Sequence, residues 1–163
     1  YIAHVPQHIC LADANIADNI ALGVPPDRID HNRVRKAAQN AQISDFIEAN
    51  RQGYNTRVGE RGVQLSGGQR QRIGIARALY KAANVLVFDE ASSALDLATE
   101  ASVMEAVNNL ASELTLFIIA HRVQTLRHCD MVIRLENGRV QFIGTYDEAI
   151  GDPASDKIIH VND

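Results

Sequence analysis

The sequence predicts an α/β fold, a parallel sheet flanked by helices, and three observations carry that prediction. The run Val85-Leu86-Val87-Phe88 is continuously apolar, the pattern of a strand buried on both faces of a parallel sheet. A helical pattern precedes it, in which Ile73, Ala76 and Tyr80 recur on one face with Ile75 and Leu79 beside it. A second alternation follows, helical over residues 99–114 and apolar over 115–120. At 163 residues the chain is the size of one domain and can bury a core.

Taken in order, residues 1–5 read as a strand, stopped by Pro6 and followed by Gln7. Because it opens on that strand without a starting Met, the chain reads as a piece of a longer protein. From residue 30 to 50 the pattern turns helical. Val34, Ala37, Ala38 and Ala41 supply one apolar stripe, and Ile43, Phe46 and Ile47 begin a shorter helix with Ser44 as its expected cap. Residues 51–64 form a polar loop punctuated by Gly53, Gly59 and Gly62.

Ser66-Gly67-Gly68-Gln69 has the form of a capping box, so a helix starts at Ser66 and runs to about residue 82. The two glycines are poor helix formers, costing about 1 kcal/mol each against Ala in an interior position. They strip the helix start of side chains, which lets an anion reach unpaired amides and the positive end of the dipole. An ordinary capped helix is the competing account of this piece alone.

The strand 85–88 ends in Asp89 and Glu90, at the carboxyl end of a strand, where open α/β sheets bind ligands. In phosphate chemistry the first acid can hold Mg²⁺ and the second can orient or deprotonate an attacking water. A strand that simply exits into solvent is the alternative. The helix 99–114 turns Val103, Val107 and Leu110 inward, and His121 ends the strand after it, on the same rim as the acid pair. Residues 122–128 read as a short helix, 131–135 and 140–143 as strands joined by an Asn137-Gly138 hairpin turn, and 146–150 as a closing turn before a polar tail.

The set Leu65-Ser66-Gly67-Gly68-Gln69, a helix, an apolar strand ending in Asp89-Glu90, then Ser93-Ala94-Leu95-Asp96 resembles the nucleotide-binding domain of ABC transporters. Each fixed position arises by chance about one time in ten to twenty, so coincidence does not compete. The resemblance implies a partial P-loop NTPase-type sheet flanked by helices, with an all-helical subdomain carrying the signature. Its expected divisions are a Q-loop strand and following segment at 1–29, the helical subdomain at 30–82, the core with Walker B, D-loop and H-switch at 83–150, and a polar tail at 151–163.

By the same resemblance Leu65, Ser66, Gly67, Gly68 and Gln69 are the signature, and Ser93 and Asp96 belong to the D-loop; both groups would touch ATP. Asp89 and Gln7 would hold Mg²⁺, with Glu90, His121 and Gln7 catalytic. Residues 7–23, including Asn15 to Ile20, and the loop 56–62 resemble the exporter segments that face transmembrane coupling helices. The implied function is an ATP-hydrolysing part of an exporter at the cytoplasmic face of a membrane, paired head to tail with a second nucleotide-binding domain.

Three further features bear on function. The net charge of −4 is interspersed, so no basic stripe points to nucleic acid, which sets aside chromosome-maintenance ATPases with a similar signature. Cys10 and Cys129 fit no zinc or redox spacing, no apolar run approaches 18 residues, and no signal-peptide pattern opens the chain. The phosphate-cradling GxxxxGK[ST] motif does not occur, since none of Lys36, Lys81 and Lys157 follows a glycine. The expectations are therefore that this chain alone neither binds ATP tightly nor hydrolyses it, and that a sheet without that motif's strand leaves edges that favour association or a rearranged sheet. The alternative function is a non-catalytic module that offers its signature in trans to a complete ATPase.

Overall fold

The structure is a computed structural model and describes residues 1–60, 62–89, 97–108, 114–120 and 123–151. The chain divides into two compact units, Tyr1–Phe117 and Ile118–Asp163.

The first unit is organised by strands β1 (Ile2–Val5) and β4 (Val85–Asp89), which pair in parallel with Ile2 opposite Val85, His4 opposite Val87 and Val5 opposite Phe88. Strand β5 (Thr115–Ile119) lies on the other side of β4, giving the order β1-β4-β5. Between β1 and β4 in sequence come β2 (Ala14–Asn15), α1 (Ile16–Ile20), α2 (His31–Asn40), α3 (Ser44–Ala49), β3 (Arg57–Val58) and α4 (Gly67–Tyr80). Helix α5 (Leu97–Asn108) follows β4 and packs on α4.

Among the described residues one face of the sheet is fully covered. Val5, Leu86 and Phe88 are buried with Ile73, Ile75 and Ala76 of α4, whereas β4 alternates, Val85 and Val87 being only half-buried. Burial on both faces, expected for the run 85–88, is therefore corrected: among the described residues only one face is fully packed. Strand β5 differs similarly, with Phe117 and Ile119 about half exposed. Each fully buried Ile, Leu or Phe contributes about 1.5–3 kcal/mol, so the core lies between α4 and the covered face and continues into α1 and α2 through Ile16, Ile20, Val34 and Ala38.

Local chemistry sets the helix boundaries. Asp30 caps α2, its carboxylate accepting from the Asn32 and Arg33 amides, while its own amide donates to Tyr80 Oη at 3.2 Å. Arg33 lies over the Tyr80 ring, 5.1 Å from its centroid. Ser44 does not cap α3. The cap position is the buried Ile43, reached through Gln42 in the left-handed region (φ 53), and Ser44 Oγ donates to Asp45 instead. Helix α5 is described from Leu97 to Asn108, and residues 109–113 of the expected helix lie outside the described residues.

In the second unit β6 (Val132–Glu136) and β7 (Arg139–Gly144) form an antiparallel hairpin. Its turn takes positive φ at both Asn137 and Gly138, which a type I′ turn requires. Helix α6 (Tyr146–Gly151) is capped by Thr145, whose amide donates to Glu148 Oε2 at 2.7 Å while the Glu148 amide donates to Thr145 Oγ1. No helix among the described residues is long and apolar enough to cross a membrane.

Candidate functional site

The loop 63–66 delivers the chain to α4. Leu65 is buried and anchors it, and Ser66 and Gly67 are exposed. Ser66 Oγ accepts from the Gln69 amide at 3.2 Å and Gln69 Oε1 accepts from the Ser66 amide at 2.9 Å, the reciprocal capping box. The remaining first-turn amides stay at the positive end of a fourteen-residue helix. An anion fits such a terminus.

Asp89 ends β4 with its side chain 42% exposed, so its carboxylate is reachable by a cation. The strand register places Gln7, two residues past Val5, at the same sheet end as Asp89, one residue past Phe88. A half-exposed carboxylate there suits a hard divalent cation. His4 Nε2 lies 3.6 Å from Asp89 Oδ2. Glu90, Ser93, Asp96 and His121 lie outside the described residues.

One face of α4 joins these parts. Gln71, Gly74 and Arg77 recur at three-residue intervals on it. The buried Gln71 donates through Nε2 to the backbone oxygen of Gln7, with a longer contact to that of Pro6. Gly74 lets Ile9 and Val5 lie against the helix: a Cβ there would sit 2.5 Å from Ile9 Cδ1 and 3.3 Å from Val5 Cγ1. Arg77 donates from Nε to the Asn19 backbone oxygen at 2.6 Å and from Nη2 to Asn19 Oδ1 at 3.0 Å. Burial pulls the Arg77 guanidinium below the usual arginine range, with the neighbouring Cys10 acting in the opposite direction. The fully buried Asn19 also takes the Ala12 amide and gives Nδ2 to the Ala12 and Asn15 oxygens. The helix behind the signature thus grips the segment from Pro6 to Asn19.

The two loops read as partner-facing stand side by side. Ala14 pairs with Val58 and Asn15 with Arg57 in the short β2–β3 ladder. Arg57 forks onto Asp13, Nε to Oδ1 at 3.2 Å and Nη2 to Oδ2 at 3.1 Å. That pair is exposed, and its guanidinium is held above the usual range by the Asp13 hydrogen bond and charge. Exposed pairs contribute roughly 0–1 kcal/mol, so the backbone ladder sets the register. A cavity of about 580 Å³ opens between these loops and the start of α4, bordered by Gln7, Cys10, Glu60, Gln64, Leu65 and Gln71.

Sequence reasoning singled out Gln7, Asp89 and residues 65–69, and the fold puts Gln7 at the Asp89 end of the sheet and ties its backbone oxygen to α4. It did not single out Gln71, Asn19, Arg77 or His4. Only Gln71 carried a local signal, a second glutamine one turn from the cap; the others depend on tertiary contacts.

The protein-family model described as ABC transporter matches residues 1–93. The chain is 51% identical over 148 residues to the beta-(1→2)glucan export ATP-binding/permease protein NdvA of Rhizobium johnstonii, which covers 91% of this chain and 25% of that protein. It is 43% identical over 151 residues to the ATP-dependent lipid A-core flippase of Cupriavidus metallidurans, covering 92% of this chain and 25% of the relative. A solved structure described as a bacterial Atm1-family ABC exporter with ATP bound superposes with a TM-score of 0.80 at 39% identity, over 96% of this chain and 28% of that one. The chain spans about a quarter of the length of these curated relatives.

Proposed function

Because this chain belongs to the ABC transporter family, we propose that it is the signature-bearing part of an exporter's nucleotide-binding domain, coupling ATP binding and hydrolysis to transport at the cytoplasmic face of a membrane. One observation carries the reading: a single face of α4 holds the Gln7 segment while Ser66 and Gly67 stand exposed at the N-terminus of the same helix. In the head-to-tail reading, α4 thus links the signature, which faces the nucleotide held by the second domain, to the Gln7 segment at the Asp89 end of this chain's own sheet.

In this reading Leu65 to Gln69 and the D-loop residues Ser93 and Asp96 meet ATP, Asp89 and Gln7 hold Mg²⁺, and Glu90, His121 and Gln7 serve the hydrolytic water. The metal, when bound, would neutralise charge on the phosphates. The chain's own part is to present amides and a hydroxyl at the start of α4 and to keep Gln7 beside Asp89 at one end of the sheet. A second nucleotide-binding domain supplies the GxxxxGK[ST] cradle that faces the signature. The adjoining loops 7–23 and 56–62 and their shared cavity receive the transmembrane part, and the helical subdomain spans residues 30–82.

The 163-residue chain by itself is expected neither to bind ATP tightly nor to turn it over. A fluorescent ATP analogue with Mg²⁺, titrated into the chain alone and into its mixture with a complete family domain whose catalytic carboxylate is neutralised, tests this. Weak binding alone and enhanced binding in the mixture support the reading. Equal binding in both, or turnover by the chain alone that is lost in Glu90→Gln, overturns it.

A further inference from the structure

Cys10 and Gln71 border the same cavity of about 580 Å³. Cys10 is exposed, whereas Gln71 is only 4% exposed. The Gln71 amide is unevenly used. Its Nε2 donates to the backbone oxygen of Gln7, while its buried Oε1 has no hydrogen-bond partner among the described residues. A buried acceptor left unmatched is costly, and in the wall of a cavity it marks where the N–H of an occupant is missing. Glu60 and Arg70 border the cavity as well and are exposed, adding one carboxylate and one guanidinium. The volume falls within the range of small-molecule sites, roughly 300–1,000 Å³.

The two thiols of the chain differ. Burial, and then the nearby Asp130 charge, hold the half-buried Cys129 thiol above the usual cysteine range. The thiolate is the nucleophile, so Cys129 is suppressed, whereas Cys10 stands exposed at a cavity rim. We propose that Cys10 is a modification site for a small amino-acid thiol, held as a mixed disulfide in this cavity with its ammonium on Gln71 Oε1 and its carboxylate toward Arg70. The Cys10 thiolate attacks one sulfur of a low-molecular-weight amino-acid disulfide. The new bond to Cys10 forms as the S–S bond of the reagent breaks; Cys10 is oxidised, one half of the reagent is reduced, and the departing thiolate takes up the proton Cys10 gave up. On the reading that this cavity receives the transmembrane part, adduct and partner compete for one seat; the inference rests on that reading for this consequence alone.

The test equilibrates the 163-residue chain, as Cys129→Ser, with L-cystine and L-cysteine at fixed ratios and reads the mixed disulfide by intact-mass spectrometry. The exchange constant should be about fivefold or more above that of the same chain unfolded in urea, the gain one net hydrogen bond supplies. Dithiodipropionate, which keeps the carboxylate and lacks the ammonium, should lose that gain, and so should cystine on Gln71→Leu. The Cys10→Ser chain should stay unmodified at the same ratios while folded. Circular dichroism checks that each variant keeps its fold, and the two reagents compared on one folded chain need no further substitution. An exchange constant no higher folded than in urea, or one that the missing ammonium or Gln71→Leu fails to lower, overturns the proposal and leaves an ordinary surface thiol. Because the chain is tested alone, that failure leaves the reading of the cavity standing, and failure of the ATP-analogue titration leaves the thiol site standing.

Discussion

Arg77 and Asn19, 58 residues apart, meet through two hydrogen bonds from one guanidinium to the backbone and side-chain oxygens of one asparagine. Neither partner is replaceable by water, since Asn19 is fully buried. Arg77→Met should destabilise the fold by about 2–3 kcal/mol, and Asn19→Ala by a similar amount, because each leaves buried polar groups unmatched. The double variant should fall short of the sum by about 1–2 kcal/mol. Urea denaturation of the four proteins measures the coupling, and simple additivity would show that the contact contributes nothing of its own.

Gln71 separates donor from acceptor. Its Nε2 holds the Gln7 carbonyl, while its buried Oε1 has no partner among the described residues. Gln71→Leu removes both together, and water in the adjoining cavity can serve the freed carbonyl, so the cost should stay under about 1 kcal/mol. Gln71→Glu sets a carboxylate against carbonyl oxygens and should cost about 2–4 kcal/mol at neutral pH. Amide exchange over residues 7–11, read by mass spectrometry, should accelerate in both variants.

A methyl at Gly62 has nowhere to go. An added Cβ would fall 2.3 Å from the Arg57 oxygen and 2.6 Å from Val58 Cα, both backbone atoms of β3. Gly62→Ala should therefore cost about 2 kcal/mol or more and loosen the β2–β3 ladder. Loss of the Ala14–Val58 and Asn15–Arg57 cross-strand NMR contacts is the check; an unchanged ladder would refute it.

Glu148 carries a pH signature. Hydrogen bonds from the Thr145 amide and hydroxyl hold its carboxylate below the usual glutamate range. A depressed carboxylate stabilises the folded state above its unfolded-state pKa, and that stability is lost as pH falls through the lower folded value. Helix α6 should thus lose this support as pH falls below the ordinary glutamate value of about 4.3, and Glu148→Gln should remove this dependence. Carboxyl-carbon NMR titration of Glu148 reads the direction.

Much of the first unit was legible because its signals are local. Ser66 and Gln69 stand at capping-box spacing, and the Val34, Ala37, Ala38 stripe marks α2 without reference to anything distant. The failures are tertiary. Ser44 looks like a cap, but burying Ile43 through the left-handed turn at Gln42 decides where α3 begins. The apolar run 85–88 cannot say how many of its faces are covered. Arg77 and Asn19 each read as ordinary helix polarity, and only the fold joins them. The Thr145 cap was available locally, as Thr-x-x-Glu, and the reading of a bare closing turn passed over it. Of the candidate site, the residue types were legible at Gln7, Asp89 and 65–69; the α4 face that connects them was not.

The reciprocal cap at Ser66 also bears on speed. Its hydroxyl oxygen is occupied as an acceptor, which leaves the hydroxyl proton out of the cap, and both Ser66 and Gly67 are exposed. The cap draws on the oxygen of that hydroxyl, and in the proposed reading an anion would draw on its proton. The loop holds its shape before any phosphate arrives, so ligand association at this terminus should be limited by encounter, with no ordering step to slow it.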